Sequence, residues 1–321
     1  MTPPPEQNSP RRALGTLILR VAATILVFVV LFRFLPVRQV ETSLRQLPVS
    51  LLIFVLLGYL SAHVVALLKW RMMVNRAGAE LKVLQAVHCY FAGLFSVLLL
   101  PSIVGGDVVR AGLAWRMGRS KAAVLFGGLL DRILDFLALA SLTICGAVLV
   151  PGNLTASSRR VFFVLGIAAA VLIVLAYFVI VLLPARRFSF RIRRKLVRLR
   201  EAQRSMAAEP RVVCVAFVLS VLVQLTFIVL TAVLANAAGL RLPFHAWLFA
   251  WPMAKFSALI PLTQGGIGVR EVTLAALLLP FGAPAAQTVA IGLAWEGITI
   301  SGALLGGLAS SAIGRFKLDA S

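Results

Sequence analysis

The sequence predicts an all-α polytopic membrane protein with six to eight transmembrane helices and two re-entrant half-helices in an inverted repeat. Of its 321 residues, 60% are hydrophobic and 13% are charged, and the mean hydropathy is +0.98. One soluble core cannot bury that much apolar surface, so the solvent must be lipid. The second observation is a motif that occurs twice, P-x-x-x-G-G-x-x-x-R, from Pro101 to Arg110 and from Pro261 to Arg270.

Six apolar runs are long enough to span a bilayer as helices. They lie near residues 14–34, 48–68, 122–150, 161–183, 212–237 and 285–312. The first has no small-x-small cleavage pattern before Pro36, so we expect a retained span rather than a signal peptide. Two shorter runs, 84–100 and 246–260, end at the repeated motif. Proline and paired glycines end helices, so these runs predict half-helices that enter the membrane and turn back.

Positive charge predicts the orientation of the chain. The densest cluster is the segment 184–211, with ten Lys or Arg against two Glu, and such segments lie on the cytoplasmic side. Counting spans outward from it places both termini and the Lys69–Lys82 loop in the cytoplasm as well. The opposite side receives the loops 35–47, 151–160 and 238–245.

With this orientation, the two copies of the motif follow spans that run in opposite directions, as in transporters built from inverted repeats. Chance recurrence in a membrane protein rich in Gly and Arg is the alternative. The predicted organisation is a polar lead at 1–13, a first membrane half at 14–183 with its re-entrant motif at 84–120, a basic cytoplasmic linker at 184–211, a second membrane half at 212–314 with its re-entrant motif at 246–284, and a cytoplasmic tail at 315–321.

The two glycine motifs supply the candidate substrate-binding residues. A helix that begins just after either glycine pair would present free N–H groups, and the arginine that follows adds a guanidinium that matches phosphate. The alternative is a tight turn whose arginine snorkels to a lipid headgroup. An acid lies close to each arginine in sequence, so an intrachain pair can neutralise it in part. The predicted binding residues are Gly105, Gly106, Asp107, Arg110, Gly265, Gly266, Arg270 and Glu271.

Charged residues inside apolar runs form a second candidate group. Asp131 and Asp135 share one helical face with Arg132 between them, so this face must meet protein or water rather than lipid. A buried ion-pair network and a proton relay both fit that pattern. In the second half, Lys255 and Glu296 are the corresponding isolated charges, and we predict that they pair.

The sequence argues against several other classes of protein. The net charge of +21 is dispersed over loops rather than gathered on one folded basic face, so nucleic-acid binding is not expected. The pattern holds no nucleophile with its base, no metal-ligand spacing and no cofactor loop, so we expect no catalytic residues, no metal and no cofactor. Isolated aromatic and histidine side chains are assigned to packing or to the membrane interface: His63, His88, Trp70, Trp115, Trp247 and Trp251.

Three blocks of the chain resemble the lysylphosphatidylglycerol synthase transmembrane region, the flippase part of the multiple peptide resistance factor. They are Leu68-Lys-Trp-Arg71, the run from Gly105 to Arg110 followed by Asp131-Arg-x-x-Asp135, and the run from Pro261 to Glu271. The resemblance implies a bacterial or archaeal cytoplasmic-membrane protein that moves lipids between leaflets through two inverted halves. It implies no aminoacyl transfer here, because the family's synthase activity resides in a separate cytoplasmic domain. The chain departs from the family pattern at Glu296, where relatives often carry an arginine.

The sequence therefore predicts a lipid flippase or scramblase whose partner is a membrane phospholipid, phosphatidylglycerol or a modified derivative. No ATP-binding motif is visible, so we expect movement that is downhill or coupled to an ion gradient. One alternative is a non-transporting scaffold that binds a lipid-modifying enzyme, for example one of hopanoid or lipid-linked-sugar synthesis, through the segment 184–211. A transferase acting on lipid is another, although Asp107, Asp131 and Asp135 do not follow the aspartate spacing of membrane transferases.

Overall fold

The computed structural model describes residues 37–100, 103–149, 208–258 and 266–318, together with the single positions 197, 201 and 204. Within these residues the chain forms nine α-helices and one 3₁₀ helix, Leu279–Phe281, and no strand, as the all-α prediction requires. The predicted lead, the predicted spans at 14–34 and 161–183, and nearly all of the basic linker lie outside the described residues.

The nine described α-helices are numbered here in chain order. Their bounds are α1 Val37–Arg45, α2 Val49–Arg76, α3 Val83–Leu99, α4 Ile103–Met117, α5 Lys121–Val148, α6 Pro210–Ala237, α7 Phe244–Ser257, α8 Val269–Leu278 and α9 Ala285–Leu318. Most of the segment between α5 and α6 lies outside the described residues.

Three of the described helices, α2, α6 and the first 30 residues of α9, are long and apolar enough to cross a membrane. A helix of 28 residues is about 42 Å long, which exceeds the roughly 30 Å hydrocarbon core of a bilayer. The chain is therefore a multi-pass membrane protein. Helix α5 has the same length, but Asp131, Arg132 and Asp135 interrupt its apolar character at the middle.

Two predicted loops contain helix. Helix α2 continues to Arg76 instead of ending near residue 68, so Lys69 is a helical residue and only 1% exposed. The prediction that a loop begins at Lys69 was wrong, because two aspartates of α5 neutralise this lysine inside the protein and the helix continues past it. The predicted loop 35–47 contains α1, which packs on α9 through Val40 and exposes its charged face.

Helices α3 and α4 form an antiparallel hairpin, and the two helices pack closely where glycines face each other. A methyl group added at Gly106 would lie 2.7 Å from the carbonyl oxygen of Gly93 and 2.6 Å from Val97 Cγ2, so the two backbones touch. The glycine pair lies inside the first turns of α4, which begins at Ile103, and not before the helix as predicted. The prediction was wrong because glycine at this position permits close packing of two helices and does not end one.

The second motif has a different local structure. Gly265 lies outside the described residues, whereas Gly266 and Gly268 both have positive φ, +78° and +87°, and Gly268 is the N-cap of α8. These glycines therefore form a turn before the helix, as predicted for this copy. Like the first motif, this one is tightly packed, because a methyl group at Gly266 would lie 2.6 Å from Ala258 Cβ.

Two apolar cores support the helices around a central space. One contains residues of α2 and of α5 to α9 around Trp247, Phe249 and Ile228. The other contains residues of α2 to α6 around Trp70 and Met73. Helices α2, α5 and α6 contribute to both cores, so they hold the two groups of helices together.

Candidate functional site

A cavity of about 470 Å³ lies among helices α2 to α9. Its apolar wall includes Leu94, Val97 and Leu98 of α3 and Ile300 and Ala303 of α9. The charged side chains that line it come from both predicted halves of the chain. They are the four cations Arg110, Arg132, Lys255 and Arg270 and the two carboxylates Asp107 and Glu296. Among the side chains that face the cavity there are thus two more positive than negative charges.

Arg110 is fixed in the first half by two carboxylates and two aromatic rings. Its guanidinium lies 3.0 Å from Asp107 on the same helix and 3.6 Å from Asp131 of α5. It also stacks over the rings of Trp70 at 4.9 Å and Tyr90 at 5.3 Å. Arg110 is buried in this position, so the snorkelling alternative does not describe it.

Arg110 belongs to a larger ion network that joins α2, α4, α5 and α6. Lys69 of α2 lies 3.0 Å from Asp131 and also contacts Asp135. Ser220 of α6 accepts a hydrogen bond from Lys69 and donates one to Asp135, each at 2.8 Å. Arg132 joins Asp107 to this network. Three cations thus meet three aspartates, so the network is neutral by formal charge.

Arg270 is fixed in the second half by two glutamates. It lies 2.6 Å from Glu271 and 2.7 Å from Glu296 of α9, and 5.8 Å above the ring of Trp251. Glu271 is buried and also accepts the N–H of Gly268 at 2.6 Å. This carboxylate therefore already caps the start of α8, which is the helix end that the sequence offered to a phosphate.

Lys255 does not pair with Glu296, so that prediction was wrong. Its ammonium donates to the side-chain oxygen of Gln224 at 2.8 Å and lies 5.2 Å from the ring of Phe227. Glu296 is occupied by Arg270 instead. Spacing along the chain could not reveal this, because the partners are chosen by how α7, α8 and α9 pack.

Several cavity residues have no charge and were missed by sequence reasoning. His63 Nδ1 lies 3.0 Å from the Tyr90 hydroxyl, and the His63 ring is 4.4 Å from that of Tyr59. All three line the cavity, together with Trp251 and Trp295. The interface assignment was wrong for Trp70, Trp247 and Trp251, which are buried. Isolated aromatic residues in an apolar run give no signal that separates a cavity wall from a lipid-facing belt.

The structure sorts the predicted site residues into three groups. Gly106, Asp107, Arg110, Arg132, Lys255, Arg270 and Glu296 line the cavity. Asp131, Asp135 and Glu271 lie behind it as partners of the lining cations. Gly105 and Gly266 are packed against Leu100 and Ala258 and do not line it.

Comparison with known proteins gives one family. A family model described as the lysylphosphatidylglycerol synthase TM region matches residues 17–307. No curated protein matches the chain.

Proposed function

The chain belongs to the lysylphosphatidylglycerol synthase TM region family, and from this premise we propose that it is a lipid flippase or scramblase. In this proposal it moves phosphate-bearing lipids, phosphatidylglycerol or a modified derivative, between the two leaflets. The observation that carries the proposal is the cavity, because it places four cations and two carboxylates inside a multi-pass helical membrane protein. Ionisable residues at membrane depth mark the path of a polar substrate.

The lining of the cavity favours a lipid over a soluble anion. A cationic surface suits a phosphate, whereas the apolar wall from Leu94 to Leu98 and from Ile300 to Ala303 suits the first carbons of acyl chains. A cavity of about 470 Å³ matches a headgroup with its glycerol and is in the range of small-molecule sites, roughly 300–1,000 Å³. The rest of the acyl chains would stay in the bilayer.

The ion pairs supply a mechanism that needs no covalent step. Asp107 and Glu296 form ion pairs with Arg110 and Arg270. A headgroup phosphate exchanges for these carboxylates on each arginine in turn, so the cations are never left without a counterion. Because Asp131 and Glu271 remain behind the arginines, the guanidinium groups keep their positions during the exchange.

The proposed path of the lipid headgroup follows the predicted inverted repeat. The α3–α4 hairpin and the α7–α8 pair serve as the re-entrant elements of two halves that face opposite leaflets, with both termini in the cytoplasm. Movement is downhill or coupled to an ion gradient, and the candidates for a coupled proton are Asp131, Asp135, Glu271 and Glu296.

The test is leaflet exchange in proteoliposomes made with the purified full chain. Fluorescent phosphatidylglycerol, its aminoacylated derivative and a phosphate-free fluorescent glycolipid are followed separately, with empty liposomes as the control. We expect the two phosphate-bearing lipids to exchange faster with protein present and the glycolipid to stay at the control rate. Exchange of all three lipids at the control rate would contradict transport and favour the scaffold, whose predicted binding segment 184–211 lies almost wholly outside the described residues.

A further inference from the structure

Lys255 differs from the other cations of the cavity in its partner. Arg110, Arg132 and Arg270 each contact at least one carboxylate. Among the described residues, no carboxylate lies within ion-pair distance of the Lys255 ammonium, whose hydrogen-bond acceptor is the neutral amide oxygen of Gln224. We infer that Lys255 is the cation that binds the phosphate of the translocated headgroup, and that Gln224 is the positioning residue that holds its ammonium. This inference rests on the proposed function.

A lysine ammonium without a counterion is costly to place inside the protein. An ammonium taken out of water into a helical bundle is strongly destabilised unless an anion accompanies it. Asp135 of the first network already contacts Lys69 and Arg132. Glu296 is held by Arg270. Lys255 thus has no carboxylate of its own among the described residues, and an anion that enters the cavity that Lys255 lines would be its direct counterion.

The Lys255 ammonium also has free hydrogen-bonding capacity for a ligand. Lysine has three N–H donors, and Gln224 accepts one of them at 2.8 Å. Two donors remain for phosphate oxygens. The ring of Phe227 lies 5.2 Å from the ammonium and limits the positions that it can adopt. Lysine binds phosphate as a point charge, so it can follow a headgroup that changes orientation, whereas a guanidinium fixes one orientation.

The position of Lys255 in the cavity also matters. Lys255 lines the same cavity as Arg132 from the first half and Arg270 from the second. A phosphate on Lys255 is therefore attracted by both sites, and it can pass from one to the other without leaving the cationic part of the cavity.

A structural clamp is the competing explanation, in which Lys255 and Gln224 simply join α7 to α6. The two explanations predict opposite effects of Lys255→Met, which keeps the length of the side chain and removes its charge. If Lys255 is the site that binds an anion, Lys255→Met raises the thermal stability of the lipid-free protein and removes its response to anionic lipid. If the residue is a clamp, the variant lowers that stability and keeps the response.

A second variant tests the same point without removing any cation. Gln224→Glu has almost the same shape as the native residue and gives Lys255 an internal carboxylate. We expect it to weaken binding of anionic lipid as much as Lys255→Met does, while Lys255→Arg keeps most of the binding. Arg45→Met is the matched control, because Arg45 lies on α1 and its side chain is 79% exposed.

The experiment measures thermal unfolding of the detergent-purified full chain as short-chain phosphatidylglycerol or short-chain diacylglycerol is added, and leaflet exchange of the same variants. We expect phosphatidylglycerol alone to stabilise the native protein and Arg45→Met, with at least about tenfold weaker binding in Lys255→Met and Gln224→Glu. Exchange by the native protein together with unchanged binding in both variants would overturn the role of Lys255 and leave the proposed function standing. A native protein that neither binds nor exchanges phosphatidylglycerol would overturn both.

Discussion

The two arginine sites have the same plan and different surroundings. Each arginine has an aromatic ring beside it, a buried carboxylate behind it and a carboxylate in the cavity in front of it: Asp131 and Asp107 for Arg110, Glu271 and Glu296 for Arg270. The first site is part of a neutral network that joins four helices. The second is a single arginine between two glutamates. A phosphate would contact the shared arrangement of arginine, carboxylates and aromatic ring. The interactions that differ between the two sites hold the helices of each half together.

The carboxylates of the two sites do not occupy equivalent positions in the repeated motif. Asp107 lies within the first motif, while the second has Ile267 at that place and takes its front carboxylate from α9. The same arrangement around an arginine is therefore reached from different sequence positions.

The largest expected difference between the sites is in stability, and Asp131→Asn measures it. The variant leaves two buried cations, Lys69 and Arg110, each with one carboxylate fewer, and breaking a buried ion pair costs about 3–5 kcal/mol of unfolding free energy. Glu271→Gln removes a carboxylate from one cation, Arg270, and leaves an amide oxygen that can still accept the N–H of Gly268, so it should cost less. Unfolding of both variants in detergent checks this order, and an equal or greater loss for Glu271→Gln would refute the view that the first network holds the fold.

The glycine pairs should respond to alanine for different reasons. Gly106→Ala forces α3 and α4 apart, and we expect a loss of about 1–3 kcal/mol in unfolding free energy. Gly266→Ala combines a close contact, 2.6 Å from Ala258 Cβ, with strain from a φ of +78°, and strain of that kind typically costs about 1–3 kcal/mol.

The matched control for these substitutions is Gly112→Ala on the same helix as Gly106. An added methyl group there meets nothing within 4 Å, so we expect a gain of about 0.5–1 kcal/mol. Thermal unfolding of the three variants measures these changes in stability. A loss at Gly112 as large as that at Gly106 would mean that close packing of the hairpin is not the reason.

The front carboxylates should show a smaller effect that appears in binding. Asp107→Asn and Glu296→Gln remove the groups that compete with phosphate for the arginines, so both variants should bind short-chain phosphatidylglycerol more tightly. Asp107 contacts two arginines and Glu296 one, so the gain should be greater for Asp107→Asn, about tenfold. Titration of the purified variants measures this, and weaker binding in either would show that its carboxylate does not compete with the lipid.

Local features of these sites could be predicted from the sequence, and tertiary ones could not. The pairing of Arg110 with Asp107 and of Arg270 with Glu271 follows from their separation along the chain. The shared face of Asp131 and Asp135 follows from helical periodicity, and both contact Lys69. The partner of Glu296 depends on how α8 packs on α9, where Gly292 leaves room for the Glu271 side chain, and no local pattern contains that information.

Lys69 shows why a charged residue at the end of an apolar run does not reliably mark the end of a helix. A lysine after a hydrophobic stretch indicates the end of a span when it faces water. Here α2 continues for seven residues beyond Lys69, because the acids that neutralise it are in α5, more than 60 positions later in the chain. Hydropathy along one helix cannot record a counterion on another.

The most direct test of the account is whether the two arginine sites serve one path. Leaflet exchange of fluorescent phosphatidylglycerol is measured for the native protein, Arg110→Ala, Arg270→Ala and the double variant, reconstituted in equal amounts with matching size-exclusion profiles. The account predicts that either single substitution reduces exchange to the rate of empty liposomes and that the double variant loses nothing more. Exchange that continues with only one of the two arginines would contradict it.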